Sequence, residues 1–245
     1  MTADPLAPLL DLAGVADALA EATAAVAGAL RHRALRRAGG TVAAEVGLRS
    51  AVASAALEGR TYDPEQVRAG LVIDPVVQGA LRVSAELDAL AGRWLVAPRQ
   101  VLARLHVLAA TGVIGPAELG RPVPGTDTAR LNALAELVAG GTAVPALVRA
   151  AVVHGELLAL RPFAGPSGVV ARAAARLTLV ATGLDPRGLL PVDAGHLARG
   201  PEYVGAAGAF ATGTPDGVRS WLRHCATATV VATGELRAIC DAVCD

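Results

Sequence analysis

One run of helical periodicity stops at a proline–glycine loop and then starts again, and this constrains the chain more than any other stretch. It is His154-Gly-Glu-Leu-Leu-Ala-Leu-Arg-Pro-Phe-Ala-Gly-Pro-Ser-Gly-Val-Val-Ala-Arg172. Val152, Val153, Leu157, Leu158 and Leu160 recur at the spacing of a helix. Pro162, Gly165, Pro166 and Gly168 break that helix, and residues 170–180 restart it. A glycine-bearing loop that feeds a helix N-terminus turns backbone N–H groups toward one spot, which suits a phosphate-sized anion. Gly165, Ser167 and Gly168 would line that spot, and Arg172 and Arg176, four apart, share one helix face. The same residues also fit a plain helix–turn–helix corner with two solvated arginines.

The rest of the chain reads as helix. Hydrophobic residues make up 53% of the 245 residues and aromatic ones only 2%, so the core must be built of Ala, Val and Leu, which favour helices. The spacing predicts one long helix over 6–38, with acids early (Asp11, Asp17, Glu21), bases late (Arg31, Arg33, Arg36, Arg37) and Gly39-Gly40 as its stop. A second helix runs over 41–59 to a Gly59 cap, with Ser54 and Glu58 on one face. Helices follow over 64–70, 75–92, 98–111 and 129–139, then a weak one near 193–198 and another over 201–211. An amphipathic helix over 215–233 comes last, and the final twelve residues form a short helix or a tail. Residues 112–129 carry little pattern and read as a surface loop or a small hairpin near 116–128. The expected architecture is all-α, one compact bundle of about ten helices: an N-terminal helix in 1–40, a main domain over 41–235 and a tail over 236–245.

Twenty-two basic residues balance twenty-two acidic ones, which argues against a nucleic-acid partner or an anionic membrane surface. Every basic residue is arginine, which reflects a GC-rich genome more simply than phosphate binding. Cys225, Cys240 and Cys244 make no disulfide framework and fit a reducing, cytoplasmic setting. Cys240 and Cys244 lie four apart, but in the tail, so no metal site is expected. Arg149, His154 and Glu156 interrupt the best candidate for a membrane span, and the first residues lack the basic start of a signal peptide.

Arg161-Pro-Phe-Ala-Gly-Pro-Ser-Gly-Val-Val-Ala-Arg172 resembles the loop of the Fic (Fido) family. That loop runs His-Pro-Phe-x-(Asp/Glu)-Gly-Asn-Gly-Arg-x-x-Arg, with a histidine seven residues upstream, where His154 stands here. Ser54-x-x-x-Glu58-Gly59 is similar to the family's inhibitory helix motif, and Pro201-Glu-Tyr203 and Trp221 look like its downstream helices. The resemblance covers about 45–235. It implies a Fic-like bundle, ATP as a cofactor or donor, and AMP transfer to a hydroxyl of a target protein. It also implies an inhibitory Glu58–Arg172 ion pair, with Ser54 and Gly59 as parts of that motif.

The departures imply a degenerate member. Arg161 stands where the family has its histidine base, and a guanidinium cannot take a proton near neutral pH. Gly165 replaces the acidic ligand, which puts magnesium in doubt. Ser167 replaces the asparagine, and Val169 the first arginine. Three functions stay open. The first is an impaired protein that still binds a nucleotide or phosphorylated small molecule over 161–172. The second is an active nucleotidyl- or phosphoryl-group transferase with altered residues, His154 or Arg161 among them. The third is a protein-interaction scaffold.

Overall fold

The computed structural model describes residues 4–244. Among these there are twelve α-helices and no strand. The first four are α1 (Val15–Ala29), α2 (Ala34–Arg37), α3 (Gly39–Ala56) and α4 (Pro64–Arg68). Next come α5 (Pro75–Trp94), α6 (Pro98–Ala110), α7 (Thr128–Gly140) and α8 (Ala146–Leu160). The last are α9 (Ser167–Ala181), α10 (Val192–Ala198), α11 (Gly200–Ala211) and α12 (Pro215–Cys244). Asp63, Asp74 and Asp127 cap α4, α5 and α7 with their carboxylates, the first two ahead of a proline at the first helical position.

Three sequence expectations change. The stretch 6–38 is not one helix. It is a 3-10 turn over Ala7–Asp11, then α1, then α2. Gly14 takes φ 71°, a left-handed start that a continuous helix cannot contain. The segment 116–128 forms no hairpin, and the one β-bridge nearby joins Thr111 and Ile114. Pro116, Pro122 and Pro124 have no N–H for a ladder, and the Gly120 and Val123 N–H groups go to His106 and Pro162 instead. The tail is no separate piece: α12 runs unbroken to Cys244, and its stripe of Ala232, Leu236, Ile239 and Cys240 is fully buried.

Two apolar clusters meet at the centre. One joins α1, α8, α11 and α12; the other joins α5, α6, α7, α8 and α9. Helix α9 is buried on every side from Gly168 to Leu179. With almost no aromatic residues to fill space, the helices approach until backbones touch. Gly79 of α5 rests on the Ala109 carbonyl of α6, and Gly195 of α10 rests on the Ala228 carbonyl of α12. A Cβ at either position would overlap that oxygen.

Five of the few rings gather in one place, under α11. His154, His196, Tyr203, Trp221 and His224 are all buried and stack edge or face on one another. Trp221 donates to the Ala151 carbonyl at 2.8 Å. His196 Nδ1 lies 3.1 Å from His224 Nε2, and His154 Nε2 lies 3.0 Å from the Tyr203 hydroxyl. Burial pushes all three imidazoles below their ordinary range, His224 to about 4.

Gly195→Ala should cost about 2–4 kcal/mol through overpacking against α12. Gly234→Ala, exposed in the same helix with nothing near it, should gain about 0.5–1 kcal/mol. Urea unfolding of the two variants checks the contrast. The histidine cluster sets a pH dependence. The unfolded chain binds protons at its histidines below about pH 6.5, and the folded chain does not. Stability is therefore full above about pH 6.5 and falls as pH drops toward the folded values, by up to about 1.4 kcal/mol per histidine per pH unit. Unfolding curves at pH 8, 7, 6 and 5 should show the loss between 7 and 5, and a flat profile there would refute a neutral cluster.

Candidate functional site

The loop between α8 and α9 opens onto a cleft of about 660 Å³. Its floor is Arg161, Phe163, Gly165, Ser167 and Gly168, one wall is Leu57 and Glu58, and the other is the exposed face of α11. Helix α8 ends on Arg161, whose backbone is left-handed (φ 43°, ψ 55°) and whose N–H still reaches the Leu157 carbonyl at 3.0 Å. Arg161 is the only non-glycine residue with positive φ among those described. That turn places an exposed arginine in the cleft lining. Gly165, at φ 69°, turns the chain again into α9. The first turn of α9 offers fewer donors than the sequence suggests. Ser167 and Val169 give their N–H groups to the Gly165 and Pro166 carbonyls at 2.8 and 3.1 Å, which leaves the N–H of Gly168.

A carboxylate already stands over that N-terminus. Glu58 Oε1 lies so close to Gly168 that a Cβ there would overlap it. The same oxygen accepts from Arg172 Nη2 at 2.7 Å. Arg172 spends four of its five N–H donors. Nε donates to Ser54 Oγ at 2.8 Å, Nη2 also to the Ser54 carbonyl at 2.9 Å, and Nη1 to the Tyr203 hydroxyl at 3.2 Å. Asp193 of α10 adds its carboxylate 3.6 Å from Nε. So Ser54, Glu58 and Arg172 do come together, and Gly59 supplies the left-handed exit (φ 79°) that returns the chain after Glu58.

Other candidates fall elsewhere. Arg176 is buried one turn on, 3.8 Å from Asp193 Oδ2, and does not line the cleft. Both arginines therefore contradict the reading of a corner with solvated cations. His154 lies beneath the cleft, behind Tyr203. Arg172 can only donate, so the Tyr203 oxygen accepts from it and turns its own O–H to His154 Nε2. That nitrogen is occupied and shielded from a substrate hydroxyl.

Three residues join the site through contacts that were not legible in the sequence. Tyr203 and Asp193 join the Arg172 web from α11 and α10, and only their place beside helix starts hinted at them. His106 of α6 is the third. The Gly120 N–H donates to its Nδ1 at 3.0 Å, so Nε2 carries the proton and donates to the Ala164 carbonyl at 2.9 Å. Its ring stacks on Phe163 at 4.6 Å. The Val123 N–H reaches the Pro162 carbonyl at 2.9 Å. The proline-rich loop over 116–127 is thereby tied to the floor of the cleft.

The donor set suits an anion better than a metal. Glu58 is the one carboxylate lining the cleft, and Arg172 holds it. Gly165 brings no oxygen side chain where a magnesium ligand was expected, so the residues present do not fit a divalent cation. At the level of sequence no family model and no curated protein matches the chain. Solved structures do. A Fic family protein from Desulfovibrio desulfuricans G20 superposes with a TM-score of 0.73 at 20% identity, over 92% of this chain and 74% of that one. A fragment of Fic-1 from C. elegans gives 0.72 at 20% identity, over 94% and 74%. With twelve helices and no strand among its described residues, the chain thus has the fold of the Fic proteins.

Proposed function

We propose that this chain is a degenerate Fic-fold protein that binds the phosphates of a nucleotide or phosphorylated small molecule in the α8–α9 cleft and is impaired in AMP transfer. A shared fold does not carry an activity, so the reading rests on the cleft. The observation that carries it is the pairing of Arg161, a free guanidinium on the cleft floor, with the N-terminus of α9, while no imidazole lines the cleft. Guanidinium and helix dipole both favour a phosphate. No imidazole lines the cleft to take a proton from an attacking hydroxyl near pH 7, and its one carboxylate, Glu58, is held by Arg172. Without a base or a carboxylate free to hold a metal, several kcal/mol of transition-state stabilisation is missing.

In this reading Glu58 is an internal competitor. Its carboxylate occupies the anion position at Gly168 and consumes Arg172. It also closes the charge balance of a buried arginine, so its removal acts on stability and on binding in opposite directions.

Calorimetric titration with ATP, and thermal-shift screening with phosphorylated metabolites, test the reading. Glu58→Gly should bind about tenfold tighter than wild type and melt lower. Arg161→Ala should bind about tenfold weaker. Radiolabelled ATP should label no protein with either wild type or Glu58→Gly. Labelling would instead support an active transferase, and no stabilisation by any phosphorylated ligand would leave a scaffold. Arg161→Gly separates strain from charge: it should lose the same binding but gain about 1 kcal/mol of stability in urea unfolding, because glycine adopts the left-handed turn freely.

A further inference from the structure

Helix α11 separates two clefts. Val204, Ala207 and Gly208 face the one described above, and Glu202, Gly205 and Ala206 face a second, of about 480 Å³, closed on its far side by α12. Three guanidiniums line this rear cleft, those of Arg199, Arg219 and Arg223, with Ser220 and Thr227 beside them. Arg199 and Arg219 each hold a carboxylate three residues away, Glu202 and Asp216. Arg223 takes no carboxylate among the described residues and rests against Gly14, where a Cβ would come 3.8 Å from its Nε.

Two buried polar atoms here are left without partners. Arg199 Nε is one. The other is Nδ1 of His224, a residue only 6% exposed that lines the cleft and spends its Nε2 on His196. Buried polar atoms are nearly always paired; Arg199 Nε–H needs an acceptor, and His224 Nδ1 needs one too in the tautomer whose Nε2 accepts from His196. A tetrahedral oxyanion supplies several acceptors at once and matches the forked donors of arginine.

We propose that the rear cleft between α11 and α12 is a second anion site, which takes a phosphate or phosphomonoester group on Arg223, Arg199 and the Nδ1–H of His224. The anion would favour the His224 tautomer or cation that carries hydrogen on Nδ1, and Glu202 is the only carboxylate lining the site. This site needs neither the reading of the front cleft nor its occupant.

The test is an NMR titration of the full chain with inorganic phosphate at pH 7, which follows arginine Nε and histidine ring nitrogens. Saturable shifts of Arg223 and His224, with the His224 titration moved upward in pH, are expected. Arg223→Ala is an exposed change that leaves the fold intact and should weaken binding about tenfold. Arg223→Lys should fall between, and Arg161→Ala should leave the constant unchanged. Shifts confined to Arg161 and residues 165–169, linear shifts without saturation, or an unchanged constant in Arg223→Ala would each overturn the proposal.

Discussion

The guanidinium of Arg172 is the constraint around which the rest is arranged. A helix buried on all sides can carry a full charge only if that charge is paired and hydrogen-bonded, because an unpaired charge in the interior costs several kcal/mol. Arg172 spends its donors on four acceptor atoms, two from Ser54 and one each from Glu58 and Tyr203, with Asp193 close by. Those partners come from α3 and the turn beyond it, α10 and α11. One side chain thus fixes how four segments meet, and the cleft wall follows: Glu58 stands over α9 because Arg172 holds it there.

Around that ionic centre the packing follows from composition. Small side chains let α5 meet α6 and α10 meet α12 at backbone distance, so the bundle closes without bulky residues. A cluster of five rings lies under α11, where His154 and Tyr203 continue the hydrogen bonds of Arg172 into the core. The cleft floor is held from the other side by His106, whose neutral form is fixed by one donor and one acceptor from two different loops. The two histidines have supporting roles, and the residue that meets the cleft is Arg161.

Much of this could be read from the chain. The helix, loop and helix around 154–172 are dictated by the apolar spacing and by Pro162, Gly165 and Pro166. The Glu58–Arg172 pair could be named because both belong to one motif pattern, and the structure joins them at 2.7 Å. Local patterns failed where a remote partner decides the outcome. The charge gradient over 6–38 suggested one helix, yet Gly14 sets a left-handed break and leaves room for Arg223 of α12. The end of the chain looked like a tail because its apolar stripe has meaning only once α1 is there to cover it. His106 gave no signal, since its partners are backbone groups 14 and 58 residues away.

The central claim is that the N-terminus of α9 is an anion position which the carboxylate of Glu58 now fills. A crystal structure of Glu58→Gly with a saturating nucleotide tests it most directly. A phosphate is expected at the vacated place, within hydrogen-bond distance of the Gly168 N–H and of Arg172 Nη2, with Arg161 turned toward it. A nucleotide whose phosphates lie away from Gly168 and Arg172, or a cleft left empty at saturation, would contradict it.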